Sequence, residues 1–276
     1  MFHRCVSECR LPMFGLEGNE KNIDLKETLE PSCSNIVKRR ICIAYKFAMV
    51  ALTWCAMVQS IYDESPDRAS WIIFSTHWCT LISTLYLMSS LISMVGPYQF
   101  SVQAGTLESP KFAKWTWGLF AMSIHCQLFV TILFWYLVYD GGTIMFKTWY
   151  EHGVLFVIVA IDGFFIHRFP LRFKHIFLVY LFGISYLVWT GIHSTTNIGN
   201  TNNSDNDPET DDDALYGVLN WNQRPQASAI LAVVIVFVVV PVLFLFLWIV
   251  SACIPRRYVE KTELPEDEEE MQERRV

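Results

Sequence analysis

The chain has 276 residues, 53% of them hydrophobic and 17% charged, and its formal net charge is −6. The charged residues avoid several long stretches and are concentrated between them, which excludes an ordinary water-soluble domain. The sequence has no basic segment interleaved with aromatic residues, so it predicts no nucleic-acid partner.

Six apolar stretches are long enough to cross a bilayer as helices, which takes about 20 residues each. Strands of a membrane barrel need only about ten residues, and only helices or closed barrels satisfy their own backbone in lipid. We therefore predict an all-α fold class, an integral membrane helical bundle. Its six transmembrane helices are predicted at about 41–62, 71–95, 117–139, 150–167, 173–193 and 228–253.

The spans form one predicted transmembrane domain, 38–257, between an N-terminal segment, 1–37, and an acidic tail, 258–276. Lysines and arginines lie mainly in the segments on one side of the membrane, namely before the first span, in the second and fourth connections and after the last span. The side with the excess of basic residues is expected to face the cytosol. Because the number of spans is even, both termini are predicted to be cytosolic. The chain is thus predicted to be a multi-pass protein of the plasma membrane or the endoplasmic reticulum.

The first two spans each contain polar residues at membrane depth. Lys46 lies just inside the predicted cytosolic end of the first span, where its long side chain is expected to reach the lipid headgroups. Thr76 and His77 lie near the predicted outer end of the second span. Polar residues in a membrane are costly, so such positions indicate candidate functional sites.

Thr76 and His152 are the candidate catalytic residues. His152 lies at the outer end of the fourth span, and a rise of about 1.5 Å per residue places it within one helical turn of the depth of Thr76. A hydroxyl and an imidazole are the minimum for a nucleophile and its base in acyl transfer. The alternative is structural: the threonine bonds a carbonyl of its own helix, and the histidine is an interfacial residue.

His125 in the third span and Asp162 in the fourth are predicted at similar depths toward the cytosol. We expect them to form a buried polar pair that pins two antiparallel helices, and a proton relay is the alternative function. This pair would be a structural site rather than a catalytic one.

The long connection at 194–227 is predicted on the outer side of the membrane. It contains the sequon Asn202-Asn203-Ser204, so Asn202 is a candidate for glycosylation. The sequence contains no metal-ligand cluster and no cofactor motif, so neither a metal nor a cofactor is predicted. The predicted partners are membrane lipids, and the sequence indicates no particular protein partner.

Several motifs follow one another in a fixed order and together cover most of residues 70–225. They are Phe74-Ser75-Thr76-His77-Trp78, Leu133-Phe134-Trp135-Tyr136, His152 ten residues before Asp162, Pro170-Leu171-Arg172-Phe173-Lys174-His175 and Tyr216-Gly217-Val218-Leu219-Asn220-Trp221. This ordered set resembles the rolling stone family of multi-pass membrane proteins. Asn220 departs from the family pattern, which has an aspartate at that position.

The resemblance implies a protein that acts in cell-surface or cell-fusion events, in particular myoblast fusion. That family is also distantly similar to the androgen-induced membrane hydrolases, which cleave fatty-acyl esters with an intramembrane threonine and a histidine. Thr76 and His152 match that pair by position. The resemblance therefore implies an alternative function, an intramembrane threonine-dependent lipid-ester hydrolase with a fatty-acyl ester as its substrate.

The distribution of basic residues predicts the topology of the chain. Epitope tags at either terminus should be stained by antibodies only after the cell membrane is permeabilised, and a tag inserted beside Asn202 should be stained on intact cells. Immunofluorescence of tagged cells with and without detergent measures this difference. Staining of a terminal tag on intact cells would contradict the six-span arrangement.

Overall fold

The computed structural model describes residues 36–63, 68–95, 111–139, 141–196 and 214–254. Within these ranges the chain is helical and contains no strand. The sequon at Asn202, most of the N-terminal segment and the acidic tail lie outside the described residues, so the statements about them stay predictions.

Six helices in the described ranges are long and apolar enough to cross a membrane. They confirm the predicted all-α, multi-pass membrane fold. We number them α1 (Ile36–Asp63), α2 (Ser75–Val95), α3 (Lys111–Leu133, continued by a π-helical turn at Phe134–Val138), α4 (Phe146–Ile166), α5 (Phe173–His193) and α6 (Pro225–Cys253). Short 3-10 helices at Arg68–Ile73 and Gly217–Leu219 precede α2 and α6.

The outer surface of the bundle is apolar, whereas many of its interior residues are polar. Large exposed hydrophobic side chains occur on all six helices, and those on α6 include Ile230, Phe237 and Phe246. In water such a surface would drive association, but in a bilayer it contacts lipid. Since lipid cannot hydrogen-bond, polar side chains gain by having partners inside the bundle, and several of them bond each other between helices.

Helix α2 packs closely against α1 and α3, and its buried residues include several serines and threonines. Ser83 of α2 accepts hydrogen bonds from Ser123 (2.8 Å) and Gln127 (2.9 Å) of α3. Small residues at a membrane-helix interface let the two backbones approach, and their hydroxyls bond across it. Glycine has the same effect between α3 and α4, where a Cβ on Gly163 would lie 1.9 Å from Phe120 Cε2.

A buried ion pair joins α1 to α4. The Lys46 ammonium lies 2.5 Å from Asp162 Oδ1, and the two side chains are 2% and 0% exposed. Asp162 Oδ2 accepts hydrogen bonds from Tyr86 (2.6 Å) and Ser90 (2.8 Å) of α2, and the ammonium donates to His167 Nε2 at 2.7 Å. A buried pair of charges is tolerated only when the remaining hydrogen-bonding sites of both groups have partners, and these contacts supply them.

This ion pair corrects two expectations from the sequence. Lys46 does not extend to the headgroups, and Asp162 is paired with Lys46 rather than with His125. His125 bonds a carbonyl of its own helix at 2.7 Å and stacks on Phe244 of α6 with ring centroids 4.8 Å apart. The reason is depth: α3 begins six residues before its predicted start, so His125 lies near the middle of its helix while Asp162 lies near the end of α4.

Removing one charge of this pair should damage the protein far more than removing one charge of an exposed pair. In Asp162→Asn the Lys46 ammonium is buried without a counter-ion, and the free energy of unfolding is expected to fall by about 3–5 kcal/mol. The matched control is Asp63→Asn, which breaks the more exposed Lys147–Asp63 contact (3.5 Å). That change should cost about 1 kcal/mol or less. Unfolding of the purified protein in mixed micelles, followed by circular dichroism, measures both values.

Replacing both members of the buried pair separates the effect of charge from the effect of packing. The double variant Lys46→Met with Asp162→Leu leaves neither charge unpaired, so it should recover part of the stability that Asp162→Asn loses. Equal losses in Asp162→Asn and Asp63→Asn would contradict the role assigned to the buried pair.

Candidate functional site

A cavity of about 580 Å³ lies within one half of the bundle. It is formed by the end of α1, the start of α2, the end of α3, the start of α4 and the middle parts of α5 and α6, together with residues of the α3–α4 connection and of the segment before α6. The charge asymmetry of the sequence predicts this half on the outer side of the membrane. Most of the wall is apolar, and its polar side chains include Ser60, Thr76, His77, His125, Glu151 and His152.

Thr76 is the second residue of α2, and the chain just before it is held in place by neighbouring segments. The Tyr216 hydroxyl accepts a hydrogen bond from the Ser75 amide (3.2 Å) and bonds the Ser75 hydroxyl (2.9 Å). The Ile73 carbonyl accepts a hydrogen bond from Tyr186 of α5 at 3.0 Å. Burial raises the pKa of the Tyr216 phenol, so this hydroxyl keeps its proton at neutral pH. These bonds fix where Thr76 lies on the cavity wall.

His152 lies in an irregular turn of α4. The helix is π-helical at Tyr150–Val154, and within this turn His152 has φ −107° and ψ 18°. Its ring stacks on Phe134 of α3, with centroids 3.6 Å apart and 5° between the planes, and its carbonyl accepts a hydrogen bond from Trp135 Nε1 at 2.7 Å. Single π-helical turns are frequent at functional sites. The two aromatic residues of α3 therefore set the position of the imidazole.

Three of the four predicted site residues in the spans lie at this cavity. Thr76 and His152 share its wall, but no hydrogen bond joins them within the described residues, where the buried Nδ1 of His152 has no partner. His125 also lines the cavity, whereas Asp162 is bonded to Lys46 in the opposite half of the bundle. The catalytic roles of Thr76 and His152 stay a prediction.

Ser60 and Glu151 also belong to the cavity wall, although neither was predicted from the sequence as a site residue. Ser60, near the end of α1, is hydrogen-bonded to His77 Nε2 at 3.3 Å. Glu151 is 4% exposed and directly precedes His152. An acidic residue beside a histidine at the start of a span is a signal that the sequence does contain. The bond between Ser60 and His77 depends on the rotation of α1 and α2 about their axes, which the sequence does not specify.

Comparisons with protein-family models, with curated proteins and with solved structures give no match for this chain. The resemblance to the rolling stone family therefore stays a prediction.

The Tyr216 hydroxyl is expected to hold the first turn of α2 in place. In Tyr216→Phe the Ser75 amide loses its acceptor, and amide exchange over Ser75–Trp78 should become about 2- to 10-fold faster, since one hydrogen bond contributes about 0.5–1.5 kcal/mol. Hydrogen–deuterium exchange with mass spectrometry in lipid nanodiscs measures the rate. Tyr136→Phe is the matched control, because Tyr136 is 87% exposed. Unchanged exchange in Tyr216→Phe would show that this hydroxyl does not fix the turn.

Proposed function

We propose that the protein binds one fatty-acyl ester in this cavity and hydrolyses it. The observation that carries the proposal is the composition of the cavity wall. Hydroxyl and imidazole side chains, among them Thr76, His77 and His152, line a mainly apolar cavity between membrane-spanning helices. A hydroxyl and an imidazole supply the nucleophile and the base of acyl transfer, and apolar walls accommodate an acyl chain.

The size and the surroundings of the cavity support a lipid as the substrate. A volume of about 580 Å³ lies within the range of single small-molecule sites, and it suits one acyl chain better than a two-chain phospholipid. Phe129, Leu133, Val179 and Leu187 offer apolar contacts to such a chain. The helices around the cavity present apolar side chains to the bilayer, in which long-chain esters concentrate.

Hydrolysis proceeds in two steps in this proposal. A hydroxyl of the wall attacks the ester carbonyl while an imidazole takes its proton, and water then releases the acyl group with an imidazole as base. The predicted resemblance to the rolling stone family, through its distant hydrolase relatives, implies these roles for Thr76 and His152. Because these two side chains are not hydrogen-bonded to each other, that assignment requires them to approach when the ester binds.

A role in cell-surface or cell-fusion events, including myoblast fusion, is the other function that the resemblance implies, and it stays a prediction. The two functions differ in what they require of the cavity. Hydrolysis needs its hydroxyl and imidazole groups, whereas an interaction at the cell surface needs only exposed residues. Substitutions confined to the cavity therefore distinguish the two functions.

A side chain that fills the cavity should impair hydrolysis of long-chain esters. Gly183 of α5 lines the cavity, and a Cβ added there would meet no atom within 4 Å, so Gly183→Leu introduces no clash at Cβ. We expect kcat/KM for a palmitoyl ester to fall about tenfold, since displacing about two methylene groups costs roughly 0.8 kcal/mol each. Turnover of 4-methylumbelliferyl palmitate by the protein in lipid nanodiscs measures this.

Gly191→Leu is the matched control. Gly191 lies on the same helix, a Cβ added there would also meet no atom within 4 Å, and the residue is not part of the cavity wall. Turnover should stay within about twofold of the unsubstituted protein. Equal losses in both variants would contradict the placement of the substrate. No turnover by the unsubstituted protein, with esters from acetyl to oleoyl, would contradict hydrolysis itself.

A further inference from the structure

We propose that Ser60 is the nucleophile of this hydrolysis and that His77 is its general base. The inference rests on the proposed ester hydrolysis and gives it a different catalytic pair from the one that the sequence suggests. Both residues line the cavity. The Ser60 hydroxyl is hydrogen-bonded to the His77 imidazole, and among the described residues of the cavity wall no other hydroxyl is bonded to an imidazole.

Ser60 lies near the end of α1, and two nitrogen atoms are within hydrogen-bond distance of its hydroxyl oxygen. Its Oγ lies 3.3 Å from His77 Nε2, and Trp71 Nε1 donates a hydrogen bond to the same oxygen at 3.0 Å. An indole N–H can only donate. The Ser60 oxygen is therefore the acceptor toward Trp71, and its own proton is left to be donated to His77.

The protonation pattern of His77 is set by the backbone. Its Nδ1 contacts the carbonyl oxygen of Trp71, which can only accept, so Nδ1 carries the proton. In the neutral imidazole, Nε2 then has a free lone pair directed at Ser60. A nucleophile bonded to a base that a third group orients is the arrangement used for acyl transfer, here with a backbone carbonyl in the place of a carboxylate.

Aromatic rings also hold the imidazole in its plane. Trp71 stacks on His77 with ring centroids 4.4 Å apart and 10° between the planes, and Phe74 meets the imidazole edge-on at 5.7 Å. Ser60 and His77 are 1% and 5% exposed. A pair that is already fixed in its reactive arrangement needs little reorganisation at the moment of reaction.

The reaction balances with water as the co-reactant. Ser60 Oγ forms a bond to the ester carbonyl carbon while its proton passes to His77 Nε2 and the carbonyl oxygen becomes an oxyanion. The bond to the alcohol oxygen then breaks, and that oxygen takes the proton from His77, which leaves acyl-Ser60. Water next bonds the acyl carbon and gives a proton to His77. Return of this proton to Ser60 Oγ releases the fatty acid.

Mass spectrometry of the labelled protein identifies the nucleophile without any substitution. The unsubstituted protein in lipid nanodiscs is treated with a fluorophosphonate that carries a long alkyl chain, and its peptides are then sequenced. We expect the phosphonyl adduct on Ser60. Turnover with the adduct on Thr76, or with no adduct on Ser60, would overturn the Ser60 assignment and leave ester hydrolysis standing. No turnover at all would overturn both proposals.

Substitutions test the same pair by rate. In Ser60→Ala and in His77→Gln, both labelling and turnover of 4-methylumbelliferyl palmitate should fall by about 100-fold or more, because nucleophile and base each contribute at least that much. Ser93→Ala is the matched control, since Ser93 is a buried serine of α2 whose hydroxyl bonds carbonyls of its own helix. Its turnover should be unchanged.

Circular dichroism checks that each variant is folded before its rate is compared. Retained turnover in folded Ser60→Ala would overturn the proposal. If that variant does not fold, the position of the adduct on the unsubstituted protein decides the question.

Discussion

Lipid offers no hydrogen bonds, and this constraint decides where each polar residue of the chain can lie. The Lys46–Asp162 pair shows it most clearly, because two full charges lie 2.5 Å apart in the interior with the hydroxyls of Tyr86 and Ser90 around the carboxylate. Either charge alone would cost several kcal/mol at that position. The pair and its hydroxyl partners join α1, α2 and α4, and so fix the half of the bundle that lies away from the cavity.

The two halves of the bundle use their polar residues differently. Around Asp162 the polar side chains contact one another between helices, whereas around the cavity they border a space that is large enough for a ligand. His152 illustrates the second case, since its ring rests on Phe134 and its buried Nδ1 has no partner within the described residues. Buried polar atoms without a partner are rare in native proteins and are often explained by function. One half of the bundle therefore holds the buried ion pair, and the other holds the polar groups that the proposed hydrolysis uses.

The six helices can be predicted from the sequence because a long apolar stretch in a bilayer can satisfy its own backbone hydrogen bonds only as a helix or as part of a closed barrel. The partner of Asp162 could not be predicted by counting residues, since α3 and α4 begin six and four residues before their predicted starts. Opposite charge predicts the partner of Asp162 better than residue counting does, because Lys46 is a cation at the same, predicted cytosolic side of the bundle. Thr76 and His152 share a cavity, as their depths suggest. Whether two such side chains bond depends on the rotation of each helix, which depth alone does not determine.

Helix α1 connects the stabilising half to the cavity. Lys46, Thr53 and Ser60 follow one another at intervals of seven residues, which is close to two helical turns, so they lie along one face. All three are at most 2% exposed; Lys46 and Thr53 bond side chains of α4, and Ser60 bonds His77 of α2. Because the ion pair fixes the rotation of α1 about its axis, it also directs Ser60, roughly 21 Å along the helix, toward His77. The spacing of three polar residues in an apolar span is the signal by which the sequence could have indicated Ser60, and the charge pair that stabilises the bundle sets the geometry of the proposed nucleophile.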